Sequence, residues 1–462
     1  MAELRKSLGV WDLVLFNITA IVGFRWISVA AAGGNTSMTL WVAALAFFFL
    51  PQALAVMELT RRMPVEGGVY SWARSVFGDF HGFMAGWCYW TNNLVYFPNL
   101  LVYLAGISVF MAGSSYQELG ESKPYVMAFS LLAILAVTLA NVFGLQSGRW
   151  VHNVGGIGTW VTGAALLLFG AIALFRYGSA NPMPAESFLA DILTFDKLSF
   201  FAAICFGFAG LELAPVLAGE VKDPERAIPR ATVFSGIVVA GIYVLGTFAL
   251  LVALPRADIN IITGFLQGIA AVADKLGVSW TTNLLALLIT LGGIGGLMAW
   301  FTGSARMPFV AGIDHFLPTS FGRVHPKYGS PYVAVIVQAI IASVFVVMSF
   351  AGATVQEAYL ILLDTTLLVY FLPYVYLFAA YAVIRSRGDA AKSDFLKSRL
   401  AATLAGVAGL LTTLAAMAMA LVPPEETTSA WLFHAKVIGG FLAFLLVGVV
   451  LYWAGTRRGT EP

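Results

Sequence analysis

The sequence predicts an all-α protein that crosses a membrane many times. Of its 462 residues, 60% are hydrophobic and 11% are charged, whereas soluble domains carry about 25% charged residues. The mean hydropathy is +0.85. Apolar runs of about 20 residues, the length that spans a bilayer as a helix, recur from one end of the chain to the other.

Each apolar run predicts one transmembrane helix, and we expect twelve of them. The loops between the runs are too short for a second domain, so residues 1–462 should form a single transmembrane domain. The predicted spans lie near residues 8–32, 38–60, 82–112, 124–143, 150–176, 198–218, 229–254, 281–303, 331–350, 356–384, 400–422 and 432–455.

The basic residues predict the orientation of the chain. With the N-terminus inside, 19 of the 26 Lys and Arg residues fall in cytoplasmic segments and six fall outside, which leaves Arg25 within a span. We therefore expect a multi-pass protein of the cytoplasmic membrane with both termini in the cytoplasm. The first apolar run is about 25 residues long and exceeds the h-region of a signal peptide, so we expect it to be retained.

Two of the predicted spans are interrupted by glycine at comparable places. The first span contains Gly23, and the sixth contains Gly207 and Gly210 in "CFGFAGLE". Interrupted spans at corresponding positions of two halves are typical of transporters with inverted repeats. Half-helix ends offer N–H groups to an anion and carbonyls to a cation, which suits a zwitterion such as an amino acid. The alternative is that these glycines only allow close helix packing.

Four segments resemble a known family. They are "FFFLPQALAVMELTRRMPVEGGVYSWARSVFGDFHGFMAGW", "FGFAGLELAPVLAGEVKDPERAIPRA", "ITGFLQGIA", and "SARMPFVAGIDHFLP" followed by "VHPKYGSP". In combination they resemble the amino acid–polyamine–organocation (APC) superfamily of transporters over nearly the whole chain. Within that superfamily, "GFMAGWCYWTNN" and "GFRW" look like the glutamate/γ-aminobutyrate antiporter branch.

The resemblance implies a fold and a binding site. The fold would be that of the leucine transporter, with inverted repeats near 8–176 and 198–384 and two further helices near 400–455. Substrate would bind between the breaks of spans one and six, flanked by spans three, eight and ten. The implied substrate-binding residues are Ile21, Val22, Gly23, Phe24 and Arg25 in span one, and Phe206, Gly207, Phe208, Ala209 and Gly210 in span six.

The sequence departs from the family pattern in ways that affect coupling. The break of span one usually reads glycine–small–glycine, but here an arginine, Arg25, takes the place of the second glycine. Many proton-coupled members carry a lysine in span five, at a position that aligns with Thr159. Span eight reads "GGIGG" without hydroxyl groups, which gives a sodium site little support. Exchange of one solute for another is therefore favoured over proton or sodium coupling.

Three charged residues stand out within predicted spans, where charge is costly and usually functional: Arg25, Glu212 and Asp364. Arg25 stays protonated, and its planar fork suits a carboxylate, so we expect it to bind an acidic amino acid. It could instead form an internal bridge to Glu212 or Asp364, or act as a fixed cation. Glu212 and Asp364 are candidates for gating or proton relay. For Glu212 the alternative is a structural carboxylate, and for Asp364 it is a hydrogen bond to a neighbouring threonine.

Other polar and aromatic residues give weaker signals. Asn92 and Asn93 in span three are expected to pack helices. Six aromatic residues could shape or close the cavity, namely Trp26, Trp90, Phe206, Phe208, Tyr359 and Tyr370. Because most aromatic residues in such a chain pack helices or anchor it at the interface, this role is expected only of Phe206 and Phe208. The sequence has no ATP-binding or hydrolase motif and no metal-ligand spacing, so we expect neither enzyme activity nor a cofactor or metal. No basic cluster favours nucleic acid.

The sequence therefore predicts a secondary transporter of amino acids that works by alternating access in the bilayer. The alternatives are a transporter of polyamines or organic cations and a membrane sensor that does not transport. The identity of the amino acid and the oligomeric state are not predicted.

Overall fold

The computed structural model describes residues 9–63, 68–143, 148–190, 192, 194–216, 221–305, 318–328, 330–387, 395–423 and 427–458. The described elements are helices, which confirms the predicted all-α class. In chain order they are α1 (Val10–Ile21), α2 (Phe24–Ala32), α3 (Thr36–Ala44), α4 (Leu50–Arg62), α5 (Val69–Phe77), α6 (Asp79–Ser108), α7 (Lys123–Val142), α8 (Gly148–Tyr177), α9 (Phe195–Gly207), α10 (Leu213–Val216), α11 (Pro224–Ala253), α12 (Gly264–Lys275), α13 (Trp280–Ser304), α14 (Tyr332–Phe350), α15 (Val355–Ser386), α16 (Arg399–Met419) and α17 (Ala430–Arg458).

The predicted spans coincide with these helices to within a few residues. In the described part of the chain, ten helical stretches are long and apolar enough to cross a membrane. The number rises to eleven if the bent pair α1–α2 is counted as one span. The sixth predicted span consists of the short helices α9 and α10. The count of twelve therefore stays a prediction, whereas both glycine interruptions are observed.

Backbone contacts divide the chain into two compact units. The first unit contains Met1–Gly86, Met183–Phe248 and Tyr370–Val422, and the second contains Trp87–Pro182, Ala249–Val369 and Pro423–Pro462. The first unit thus contains spans one and two of the first predicted repeat. It also contains spans six and seven, which are the corresponding spans of the second repeat. This division is consistent with the predicted repeats, which themselves stay a prediction, as does the single domain.

In the second unit, α6 is joined to three other helices by buried polar side chains. Asn99 Nδ2 donates to Tyr359 O on α15 at 3.0 Å, and Trp87 Nε1 donates to Phe444 O on α17 at 2.8 Å. Trp90 Nε1 donates to Gln338 Oε1 on α14 at 3.3 Å. These bonds satisfy polar groups that would be costly to leave unpaired between apolar helices.

In the first unit, a buried ion cluster joins the last turns of α4 and α15. The Arg385 guanidinium lies 3.2 Å from Glu58 Oε1, and the side chains are 3% and 1% exposed. Arg62 Nε approaches the same oxygen at 3.5 Å, and the Tyr381 hydroxyl donates to Glu58 Oε2 at 3.3 Å. Arg385 also donates to Leu396 O at 2.6 Å, which ties the segment before α16 to this cluster.

We predict that removing one member of this ion pair is more harmful than removing both. R385L should lower the free energy of unfolding by about 3–5 kcal/mol because it leaves the Glu58 carboxylate buried with less compensation. The double variant E58L/R385L should recover much of that loss, since the two fully buried charges are removed together and only Arg62, which is 10% exposed, loses a partner. Thermal unfolding in detergent of the single and double variants tests this, and an additive double variant would contradict it.

Candidate functional site

The first helix break lies at Val22 and Gly23. Both residues have extended backbone, with φ/ψ of −68°/111° and −125°/115°, and they separate α1 from α2, which differ in direction by 44°. A break frees backbone N–H and C=O groups from the helical ladder. At membrane depth these groups need partners inside the protein, because lipid offers none.

Tyr243 on α11 supplies those partners. Its hydroxyl donates to Ile21 O at 2.6 Å and accepts from Gly23 N at 3.0 Å, so one phenol bridges the two sides of the break. The ring is fully buried and stacks on Trp41, with centroids 4.8 Å apart and an interplanar angle of 10°. Trp41 is held in turn by a hydrogen bond from Nε1 to Thr247 Oγ1 at 2.9 Å.

The second break follows α9 and adjoins the first. Gly210 has a φ of +129°, a conformation that side chains disfavour, and a Cβ at this position would lie 2.8 Å from Ile21 Cγ1. Glycine is therefore required here both for the backbone conformation and for the approach of α1. Phe208, within the same break, packs edge-on against Trp41 at 4.9 Å.

Glu212 lies two residues beyond Gly210, is fully buried, and accepts four hydrogen bonds. The Tyr370 hydroxyl donates to Oε1 at 2.5 Å. The Tyr374 hydroxyl, Gln52 Nε2 at 3.2 Å and Gly210 N at 3.1 Å donate to Oε2. Tyr374 also accepts from Gly210 N at 2.7 Å. All four partners donate to the carboxylate, so the surrounding groups favour a hydrogen-bond acceptor such as Glu212.

Gln52 reaches this cluster from span two through a local distortion of the helix. Residues Leu45–Phe49 form a π-helical turn between α3 and α4, a feature that occurs often at functional sites. The turn also places Phe49 on Phe208 and Phe48 on Tyr374, with ring centroids 4.7 and 5.5 Å apart. Gln52 is fully buried, and its Oε1 has no hydrogen-bond partner among the described residues.

Arg25 lies in the first turn of α2 and is 3% exposed. Its guanidinium carbon is 4.4 Å from the ring centroid of Trp26, a cation–π distance. The hydrogen bonds of Glu212 within the described chain go to the four residues above, and Arg25 is not among those partners. The alternative of an Arg25–Glu212 bridge is therefore not seen in this conformation.

Asp364 lies on the part of α15 that belongs to the second unit. It is 9% exposed and makes no hydrogen bond or ion pair within the described residues. The alternative of a hydrogen bond to Thr366 is not observed, because Thr366 Oγ1 bonds to Leu362 O at 2.7 Å. The side chain of Thr159 lies outside the described residues.

The first unit brings most of the predicted site residues together. The buried members are Ile21, Val22, Phe24, Arg25, Phe206, Gly207, Phe208, Ala209, Gly210 and Glu212, and Gly23 is partly exposed. Sequence reasoning missed Tyr243, Gln52 and Tyr374, whose hydrogen-bond partners lie far away in the sequence. Among the described residues, no group of three His, Cys, Asp or Glu side chains is placed to hold a metal ion.

Comparison with known proteins gives consistent results. A family model described as "Amino acid permease" matches residues 8–444. An uncharacterised transporter of Legionella pneumophila is 29% identical over 97% of both chains. Two Lactococcus lactis proteins are also similar. A "probable agmatine/putrescine antiporter" is 24% identical over 82% of this chain and 80% of its own. A glutamate/γ-aminobutyrate antiporter is 23% identical over 90% and 84%.

A solved structure shows the fold. The transporter MhsT, crystallised with L-phenylalanine, superposes with a TM-score of 0.58 over 98% of this chain and 100% of its own, at 12% identity. MhsT has the leucine-transporter fold, so the predicted fold is confirmed.

We predict that Y243F destabilises the first break. The variant keeps the ring stacked on Trp41 but loses the hydrogen bond to Ile21 O and the acceptor for Gly23 N. An unpaired buried polar group costs about 1–3 kcal/mol, so the thermal midpoint in detergent should fall measurably. Y116F, which removes the hydroxyl of a tyrosine that is 55% exposed, is the matched control. Equal midpoints for the two variants would show that the Tyr243 bridge contributes nothing.

Proposed function

On the premise that the chain belongs to the amino acid permease family, we propose that it exchanges acidic amino acids. Membership makes the protein a secondary transporter of amino acids, not an enzyme, and its apolar helices make it a multi-pass integral membrane protein. The proposal adds the class of amino acid, the residues that bind it and the orientation of the chain in the membrane. The bias of Lys and Arg toward one side supports both termini in the cytoplasm of a cytoplasmic-membrane protein.

The buried guanidinium of Arg25 carries the proposal. It lies at the start of α2, directly after the first break, and is 3% exposed. A charge at that depth costs about 2.5–3.5 kcal/mol on insertion scales, so it should have a function that offsets the cost. Its planar fork binds a carboxylate through two parallel hydrogen bonds. A substrate with a second carboxylate can use this fork and still present its α-carboxylate and amine to other groups.

The hydrogen bonds at the breaks support an assignment of each charged group of the substrate to a partner. The resemblance implies that N–H groups of the first break meet the substrate carboxylate, but Gly23 N is hydrogen-bonded to Tyr243 and Gly210 N to Glu212 and Tyr374. We therefore assign a carboxylate to Arg25, not to the two glycines. Each backbone carbonyl at the breaks has two lone pairs and can accept a further hydrogen bond, which suits the ammonium group.

Glu212 is proposed as a gate. Its carboxylate links the second break to α4 through Gln52 and to α15 through Tyr370 and Tyr374. A proton or the substrate ammonium that engaged this carboxylate would weaken its hold on Tyr374 and Gly210. Because a ligand shifts a conformational equilibrium only through its differential affinity, this contact would couple binding to opening. We likewise propose Asp364 as a residue of gating or proton relay.

A cationic substrate is the second candidate, because one relative is described as a probable agmatine/putrescine antiporter. Arg25 argues against it, since a fixed positive charge at the break repels a polyamine. The glutamate/γ-aminobutyrate antiporter among the relatives supports the acidic class. Substrate screening separates the two.

We predict that R25A strongly reduces exchange of acidic substrates. The purified protein would be reconstituted in liposomes, and counterflow of labelled glutamate, aspartate, alanine and putrescine would be measured. Hydrogen bonds to a charged group are worth about 1.5–3 kcal/mol, so R25A should reduce glutamate and aspartate exchange about 10- to 100-fold. R25K, which keeps the charge but loses the fork, should fall between wild type and R25A.

The control for this experiment is R74A. Arg74 lies outside the spans, where its hydrogen bond to Asp79 raises the pKa of its guanidinium, and it is 53% exposed. R74A should exchange glutamate as wild type does. Equal glutamate exchange by R25A and wild type would refute the carboxylate role, and putrescine exchange by wild type would favour the cationic class.

We predict that E212Q slows exchange without unfolding the protein. Glutamine retains three of the four hydrogen bonds when its NH₂ group faces the Tyr370 hydroxyl, which can accept. The thermal midpoint should therefore stay close to that of wild type, while the counterflow rate should fall at least about tenfold because the gate has lost its charge. A variant that exchanges at the wild-type rate would show that the charge of Glu212 has no part in gating.

A further inference from the structure

We propose that the indole of Trp26 limits the size of the substrate, so that the transporter selects short side chains. This inference rests on the proposed function, in which substrate binds at the helix breaks. From the sequence, Trp26 is one of six aromatic residues that could shape the cavity, with helix packing as the more common role. Its position in the structure gives it a more specific role.

The Trp26 indole fills the space between the two breaks. A Cβ built on Gly23 would lie 2.9 Å from Trp26 Nε1, and a Cβ built on Gly207 would lie 3.2 Å from Trp26 Cγ. Gly23 belongs to the first break and Gly207 ends the helix before the second. The ring thus contacts a glycine at each break, and a side chain at either position would collide with it. Trp26 is 4% exposed.

The position of the ring is fixed by its neighbours. Trp26 packs edge-on against Phe206, with centroids 5.1 Å apart, and Phe206 packs edge-on against Tyr370 at 5.2 Å. The guanidinium carbon of Arg25 lies over the Trp26 ring, 4.4 Å from the centroid. The backbone N of Trp26 donates to Gly23 O at 3.0 Å. An aromatic ring held by such contacts acts as a rigid wall.

A rigid wall beside the breaks restricts the length of the substrate side chain. The proposed function places the substrate ammonium at the carbonyls of the breaks and the second carboxylate at Arg25, whose guanidinium lies over the same indole. The reach from the breaks to the guanidinium is therefore set by Trp26. One extra methylene in a pocket of fixed size changes selectivity by about 10- to 200-fold. We infer that aspartate is preferred over glutamate, and that large apolar side chains are excluded.

Shortening Trp26 would open this space. Phenylalanine and leucine are progressively smaller, and glycines line the gap on two sides, so little can collapse into it. A pocket that stays open accepts an additional apolar or methylene group from a ligand. The W26F and W26L variants should therefore shift the preference toward longer side chains in that order.

The experiment is counterflow into liposomes with labelled aspartate, glutamate, alanine and phenylalanine. Wild type should exchange aspartate at least about tenfold better than glutamate, and alanine better than phenylalanine. W26F should reduce both ratios, and W26L should reduce them further. W72L is the matched control, because Trp72 is fully buried in the same unit but lies on α5, away from the breaks. It should lose stability and keep both wild-type ratios.

Three outcomes would overturn the inference: wild-type protein that exchanges phenylalanine as readily as alanine, ratios in W26F and W26L equal to those of wild type, or an equal change in W72L. The first needs no variant, so the test remains decisive if the variants fail to fold. If R25A exchanges aspartate as wild type does, the acidic substrate class fails, but the alanine-to-phenylalanine ratio still tests the role of Trp26.

Discussion

Two interrupted helices must satisfy their freed backbone groups within an apolar bundle, because lipid offers no hydrogen-bond partner. This constraint organises the first unit. At the first break, the single hydroxyl of Tyr243 pairs a carbonyl and an N–H on opposite sides of the gap. At the second, Gly210 N is taken up by Glu212 and Tyr374. Both breaks are stabilised by side chains of other helices, so the site is preorganised but can change its bonding partners.

The charges near the breaks are held in different ways, which gives them different roles. Glu212 is surrounded by hydrogen-bond donors and therefore has its acceptor capacity largely filled by the protein. The Arg25 guanidinium instead lies over the face of an aromatic ring, which attracts a cation. A ring does not neutralise a guanidinium as a carboxylate does. An anionic group of the substrate should therefore bind Arg25 in preference to the hydrogen-bond donors around Glu212.

The sequence predicted the helices and the breaks because these follow from local composition. Apolar length gave the bounds of the spans, and Gly23, Gly207 and Gly210 marked the interruptions. The partners of the breaks were not predictable in the same way. Tyr243 lies more than 200 residues from Ile21, and Gln52 reaches Tyr374 across more than 300. Nothing in "GIYVLG" separates a bridging tyrosine from a packing one, and no residue type in "LAFFF" announces the π-helical turn that directs Gln52.

The neighbouring residues Arg25 and Trp26 make charge selection and size selection interdependent. The guanidinium is located by the indole, and the indole is located by Phe206 and by the glycines of both breaks. A change at Trp26 therefore moves the cation as well as the wall. Residues in such contact do not contribute additively, so the effect of R25A on aspartate should depend on which residue occupies position 26. The substrate is then recognised by the distance between the breaks and the guanidinium, which depends on Arg25 and Trp26 together.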